Sequence, residues 1–215
     1  MKYPQLQEQK QNISERIDLL FKIDDFQLSI DYLKIIHKFL FKDVLFNCGN
    51  FRENNITKSE YILNGDTVIY PDYHTIKTYL EYDMNSEKKK DYSKMNIEEQ
   101  IMKIADFTSR IWLVHPFDEG NTRTTCVFIE KYLKHLGFQI DNHIFKENAE
   151  YFRNALVKSN YYNQELGIHM DMTPLINFFR KVLIDENIIL NEEELYVKKE
   201  LEQSLTNKRK IRKLF

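Results

Sequence analysis

Glycine and proline are scarce, with five and four in 215 residues. So few turn formers imply few tight turns and long helices. Cysteine is scarcer still. Cys48 and Cys126 alone exclude a disulfide framework of the secreted kind. They leave either one bridge or, more simply, two small apolar fillers. No stretch approaches the eighteen or so consecutive apolar residues of a membrane span. The N-terminus, MKYPQLQEQKQNISERIDLL, has no apolar core of signal-peptide length. A cytoplasmic location with no membrane partner is the expectation, with signal-independent export left open. An excess of one charge is also missing, since 31 Lys and Arg face 33 Asp and Glu for a net charge of -2. That balance gives no footprint for nucleic acid across the chain. The one basic cluster, Lys208, Arg209, Lys210, Arg212 and Lys213, could contact phosphates. A solvated helix end explains it as well, and no nucleic-acid partner is expected.

What is present is a 42% apolar composition with 15 Phe and 13 Tyr, enough for one domain with a packed core and a tail. Apolar spacing predicts helices over 13–24, 26–42, 73–84, 145–158 and 173–185. Asn96 with Glu99 makes a capping box that opens a helix running to about Val114. Apolar spacing resumes from Val127 to Leu136, and Gly137 fits a helix end. Thr173 and Pro174 read as a cap and first-turn pair. Asn191 with Glu194 reads as a further capping box for a last helix. The single β signal is residues 60–70, where two β-prone runs flank Asn64-Gly65, a hairpin signature. The fold class is therefore mostly α, a helical core with one β-hairpin. Divided along the chain, 1–24 is an N-terminal helical extension, 25–185 the main domain and 186–215 a C-terminal helical tail.

The most informative segment is HPFDEGNTR, residues 115–123, a short loop between two apolar helices. Histidine is the side chain whose ordinary titration lies near neutrality, as a general base requires. Glu119 offers an oxygen ligand suited to Mg²⁺. Gly120 lets the backbone approach a ligand, and Asn121 can donate from its amide. Arg123 offers a donor fork suited to phosphate. The loop runs into a helix start, whose first N–H groups have no partners inside the helix and favour anions. A base, a metal carboxylate and an anion cradle in nine residues suit phosphoryl-type transfer. A structural loop with a solvent-facing acid and arginine is the bland alternative.

This segment closely resembles the Fic signature, His-x-Phe-x-Asp/Glu-Gly-Asn-x-Arg, and supplies every fixed element of it. GNFR at 49–52, the hairpin at 60–70 (the place of the family's flap) and NAEYFRNAL at 148–156 extend the resemblance over roughly 25–185. It implies a Fic-domain helical core with a hairpin flap, and a protein adenylyltransferase moving AMP from ATP to a Ser, Thr or Tyr hydroxyl of a target protein. It assigns His115 as general base and Asn121 as a second catalytic residue. Mg²⁺ falls to Glu119. Nucleotide binding falls to Phe117, Gly120, Asn121, Thr122 and Arg123, with Phe117 acting mainly by packing inward and fixing the loop. It further implies a target docked along hairpin 60–70, and leaves room for a separate small regulatory protein and for a homo-oligomer.

The sequence departs from the family in two places. Many Fic enzymes carry a second arginine three residues after the first, where this chain has Cys126. The family's inhibitory pattern, Ser/Thr-x-x-x-Glu-Gly/Asn, is absent from both flanks: Ser14 is followed four residues on by Asp18, and Ser204 by Lys208. Three alternatives therefore stay open: another nucleotide donor, removal of AMP, or a catalytically weak Fic-fold binding protein. The kinase-like variant, Ala-Asn-Lys in place of Gly120-Asn121-Thr122, does not fit.

Overall fold

The computed structural model describes residues 3–197. Eight α-helices carry the described residues: α1 (Tyr3–Phe21), α2 (Ile30–Phe41), α3 (Ile76–Glu87), α4 (Ile97–Val114), α5 (Asn121–His135), α6 (Asn142–Glu147), α7 (Ala149–Asn160) and α8 (Thr173–Leu183). The mostly helical expectation holds. The chain clusters into two compact units, one made of residues up to Asn55 with Pro71–Asn142, the other of Ile56–Tyr70 with residues from His143 onward.

In the first unit, α2 packs on α1, α3 and α5, and α4 on α3 and α5. Leu33, Ile36 and Leu40 of α2, Ile101, Ile104, Phe107 and Ile111 of α4, and Val127 and Phe128 of α5 are fully buried. Their i, i+3, i+4 recurrence is the apolar stripe visible in the sequence. Two long cations fasten helix ends, where the last carbonyls lack intrahelical partners. Arg16 of α1 donates to the carbonyls of Leu40 and Lys42. The buried Lys131 of α5 donates to the carbonyls of Leu20 and Ile23, at 2.8 and 2.7 Å, and pairs with Asp25. The Asn96–Glu99 capping box is formed in both directions at 3.0 and 2.9 Å. Gly137 sits at φ +93 just beyond α5, as a helix-ending glycine should. Cys48 and Cys126 are free thiols.

In the second unit, α7 packs on α8 and on a 3₁₀ turn at Glu192–Leu195. Phe145, Phe152, Phe178 and Phe179 form its aromatic centre. Glu60 is buried and pairs with Arg153 of α7. Tyr161 and Asn163 both donate to Asp66.

The hairpin expected at 60–70 needs correction, because no strand occurs among the described residues. Asn64 and Gly65 do take the two successive positive φ values, +56 and +93, that their sequence signals. Tyr61–Leu63 coils into a 3₁₀ turn instead of a strand. The Glu60 carbonyl accepts from both Leu63 and Gly65, and Glu60 N–H donates to Asp66. The reason lies in three consecutive large apolar residues. Ile62 and Leu63 are both fully buried, whereas neighbours on a strand point to opposite faces.

Three smaller expectations also shift. The helix expected over 145–158 is interrupted at Asn148, whose amide donates back to the Ile144 carbonyl. Thr173 lies inside α8 and not at its cap; Asp171 accepts its N–H. Asn191 caps Glu193 at the 3₁₀ turn, and its amide meets the Glu194 carboxylate side chain to side chain, so no capping box forms. The rest of the expected last helix, from 198 on, lies outside the described residues.

Candidate functional site

HPFDEGNTR bridges the end of α4 and the start of α5 in the first unit. His115 closes α4 in the left-handed region, φ +46 and ψ +58. A non-glycine residue occupies that region only when its surroundings hold it there. Arg52, from the GNFR segment, supplies the hold. Its buried guanidinium donates to the carbonyls of His115 (2.9 Å), Asn54 and Pro71 (both 2.7 Å), and its own N–H donates to the Pro116 carbonyl at 2.8 Å. Burial lowers its pKa, and the carbonyl ring compensates the charge.

The His115 side chain is buried, with Nδ1 3.3 Å from the Trp112 carbonyl. A carbonyl only accepts, so in the neutral form of the ring a proton on Nδ1 suits this contact and leaves Nε2 as the basic nitrogen. The indole of Trp112 stands edge-on to this ring at 5.2 Å, and its Nε1 donates to Thr122 Oγ at 2.9 Å.

Phe117 is buried. Asn121 is buried too and spends its amide on this loop: Nδ2 donates to the Phe117 carbonyl, and Oδ1 accepts the Phe117 N–H at 2.9 Å. Asn121 thus clamps the loop, and its backbone N–H is what it offers a ligand. Gly120 caps α5 at φ +80 with no side-chain cap. A Cβ there would lie 2.4 Å from the Phe41 ring. The glycine is therefore required by its backbone and by Phe41, which the sequence reading, with its open approach to a ligand, did not anticipate. Thr124 N–H returns to the Gly120 carbonyl, leaving the N–H groups of Asn121, Thr122 and Arg123 at an uncapped helix start. Glu119 and Arg123 are exposed.

Cys126, one turn further along α5, donates to Glu130 Oε1 at 3.3 Å. Burial pushes the thiol pKa well up and Glu130 to about 8. The position of the family's second arginine thus holds a neutral pair.

The sequence reading missed His37 of α2. Its ring stacks on Phe117 at 3.8 Å and 9°. Its Nδ1 accepts the Gly49 N–H at 2.8 Å, and Nε2 lies 3.0 Å from the Glu119 carbonyl. A histidine at the i+4 position from Leu33 within an apolar stripe was the available signal.

The Fic/DOC family model matches residues 27–133, a stretch that contains α2, α4, the motif loop and most of α5. The chain belongs to the Fic/DOC family. Comparison with curated proteins gives no match. Solved Fic structures superpose over nearly the whole chain. The N-terminal Fic domain of a VirB-translocated effector from Bartonella sp. AR 15-3 has a TM-score of 0.67 at 20% identity, covering 90% of this chain and 88% of its own. BepC from Bartonella tribocorum, with bound AMPPNP, gives 0.65 at 18%, covering 85% and 88%. An ADP-bound Fic domain from Bartonella quintana gives 0.67 at 19%, covering 85% and 86%. At such identities the likeness shows the shared Fic fold. No helix among the described residues is long and apolar enough to cross a membrane.

Proposed function

We propose that this Fic protein is an adenylyltransferase that moves AMP from ATP onto a Ser, Thr or Tyr hydroxyl of a target protein. The observation that carries the reading is the pairing of a buried histidine, its Nδ1 turned to the Trp112 carbonyl, with an uncapped helix start at the other end of the same loop. The AMPPNP and ADP bound by two Fic structures of like fold support a nucleotide as the donor. The N–H groups of Asn121, Thr122 and Arg123 form the anion cradle, and the exposed Arg123 guanidinium reaches the outer phosphates. His115 Nε2 takes the hydroxyl proton as the oxygen bonds to the α-phosphorus. The bond from that phosphorus to the oxygen bridging it to the β-phosphate breaks, and pyrophosphate leaves with the electron pair.

Among the described residues no group of three His, Cys, Asp or Glu could hold a metal by itself. The donor set still fits Mg²⁺, which keeps several waters and is held by one or two carboxylates with substrate phosphates. Glu119 is the carboxylate beside the cradle. Bound there, Mg²⁺ neutralises charge on the phosphates and the leaving group. Residues 60–70, with Ile69 exposed, are the proposed docking segment for the target.

The test uses ATP labelled at the α-phosphate in cell lysate. His115→Ala is expected to abolish labelling while retaining ATP binding, since the base acts on the acceptor. Equal labelling by both proteins sinks His115 as the base. The neutral Cys126–Glu130 pair favours one second reading, a nucleotide donor other than ATP. Labelling from UTP, CTP or GTP but not from ATP would establish it.

A further inference from the structure

His37 is buried beneath the motif loop, 82 positions before Glu119. Its bonds fix its chemical state. Gly49 N–H can only donate, so Nδ1 is the acceptor. The neutral ring then carries its proton on Nε2 and gives it to the Glu119 carbonyl. The ring lies flat on Phe117 and 4.9 Å from Phe41, the same ring that closes the space under Gly120. Phe117, Glu119 and Gly120 thus rest on one floor of α2 side chains. Asn121 fixes this loop segment at Phe117, and His37 fixes it at Glu119. The Glu119 side chain itself lies toward solvent.

We propose that His37 is a positioning residue for Glu119: by holding the Glu119 carbonyl while bearing on Phe117, it sets the direction of the carboxylate and so the affinity of the site for a divalent cation with bound nucleotide. The inference rests on reading Glu119 as the metal carboxylate. Losing the His37 donor loosens the Glu119 peptide, and its side chain moves with it. Outer partners of this kind change metal affinity by about 10- to 100-fold.

The test needs no turnover. Trp112 is the sole tryptophan and touches both His115 and Thr122, so its fluorescence follows filling of the site. Mg²⁺ is titrated into the protein at saturating AMPPNP, and AMPPNP alone is titrated without metal. His37→Phe keeps the aromatic floor and loses both hydrogen bonds. It is expected to need about tenfold more Mg²⁺ for the half-maximal change, with metal-free AMPPNP affinity unchanged. His37→Gln presents an acceptor and a donor at similar spacing and should restore a near wild-type titration. Should His37→Phe not fold, His37→Asn replaces it. Its shorter amide serves Gly49 without reaching Glu119, and the same shift is expected. A folded Phe or Asn variant that titrates like the wild type, while Glu119→Gln does not, overturns the inference. So does an equal loss of AMPPNP affinity with and without metal, which marks a general packing role. If Glu119→Gln itself titrates like the wild type, the metal reading fails and the inference with it. A wild-type protein that never responds to AMPPNP overturns the nucleotide reading.

Discussion

Glu130 is a carboxylic acid enclosed in α5 with one oxygen, Oε2, lacking a hydrogen-bond partner. Desolvation is the largest cause of its raised pKa, about 8 against an ordinary 4.5, with the Cys126 hydrogen bond and Lys134 opposing it weakly. The folded protein therefore holds a proton that the unfolded chain has released. Stability is at its full value below pH 4.5, falls as pH rises toward 8, and is level above. The loss is at most about 1.4 kcal/mol per pH unit in that window. Glu130→Gln keeps an acceptor for the Cys126 thiol and removes the titration. Urea midpoints at pH 5 and pH 8 should converge for the variant and fall for the wild type. Parallel falls in both proteins would mean that Glu130 is charged or hydrated inside the fold. Gly120 allows a second residue-scale test. Gly120→Ala adds a left-handed strain of about 1–2 kcal/mol and a clash with Phe41 of about 1–3 kcal/mol. A clear drop in melting temperature is expected, and an unchanged melt would show that the Phe41 ring moves aside freely.

At the scale of elements, α4 and α5 were legible because local and tertiary signals agree. The capping box fixes the start of α4, and the apolar stripe of each helix is also its buried face. Asn96→Ala should cost about 1 kcal/mol and lower the melting temperature by about 2–4 °C; a melt unchanged within error would make the box dispensable. The motif loop was legible as a site because its residues are consecutive. Its supports were legible only in part: GNFR holds Arg52 and the α2 stripe holds His37, but the sequence does not show that these and Phe41 reach the loop from 63 or more positions away. Such contacts leave no periodicity to read. Residues 60–70 mislead for a different reason. Asn64-Gly65 sets the turn correctly, but burial of both Ile62 and Leu63 overrides the alternation that a strand needs. At Thr173 and Asn191 the residue types suit caps, and a neighbour one or two positions away decides which N–H is capped.

At the scale of the whole molecule the open matter is control. Neither flank carries the family's inhibitory pattern, and the place of the family's second arginine holds a neutral cysteine–glutamate pair. Purified alone, the protein is therefore expected to lack that form of inhibition. Removing everything after Ile184 is a poor test. Leu195 and Val197 are buried, Val197 N–H donates to the Ile62 carbonyl at 2.8 Å, and Asn64 donates to the Val197 carbonyl at 3.1 Å. Residues 192–197 are thus part of the second unit's packing, and their loss should destabilise it. Two fully buried aliphatic side chains are worth roughly 1.5–3 kcal/mol each. Cutting after Val197 spares these contacts and removes the acidic Glu200 and Glu202 together with the basic cluster 208–213. The expected result is a smaller fall in melting temperature than truncation after Ile184 gives, and less than about a tenfold change in ATP labelling, which corresponds to about 1.4 kcal/mol of barrier. A larger gain, reversed when a peptide of residues 198–215 is added back, would make the tail a brake of a kind the family pattern does not describe. A larger loss at an unchanged melt would instead place part of the target-binding surface on the tail. The Ile184 truncation run in parallel then serves as the stability control: its melt should fall further than that of the Val197 truncation, so that a change in labelling is assigned to the tail and not to damage in the fold.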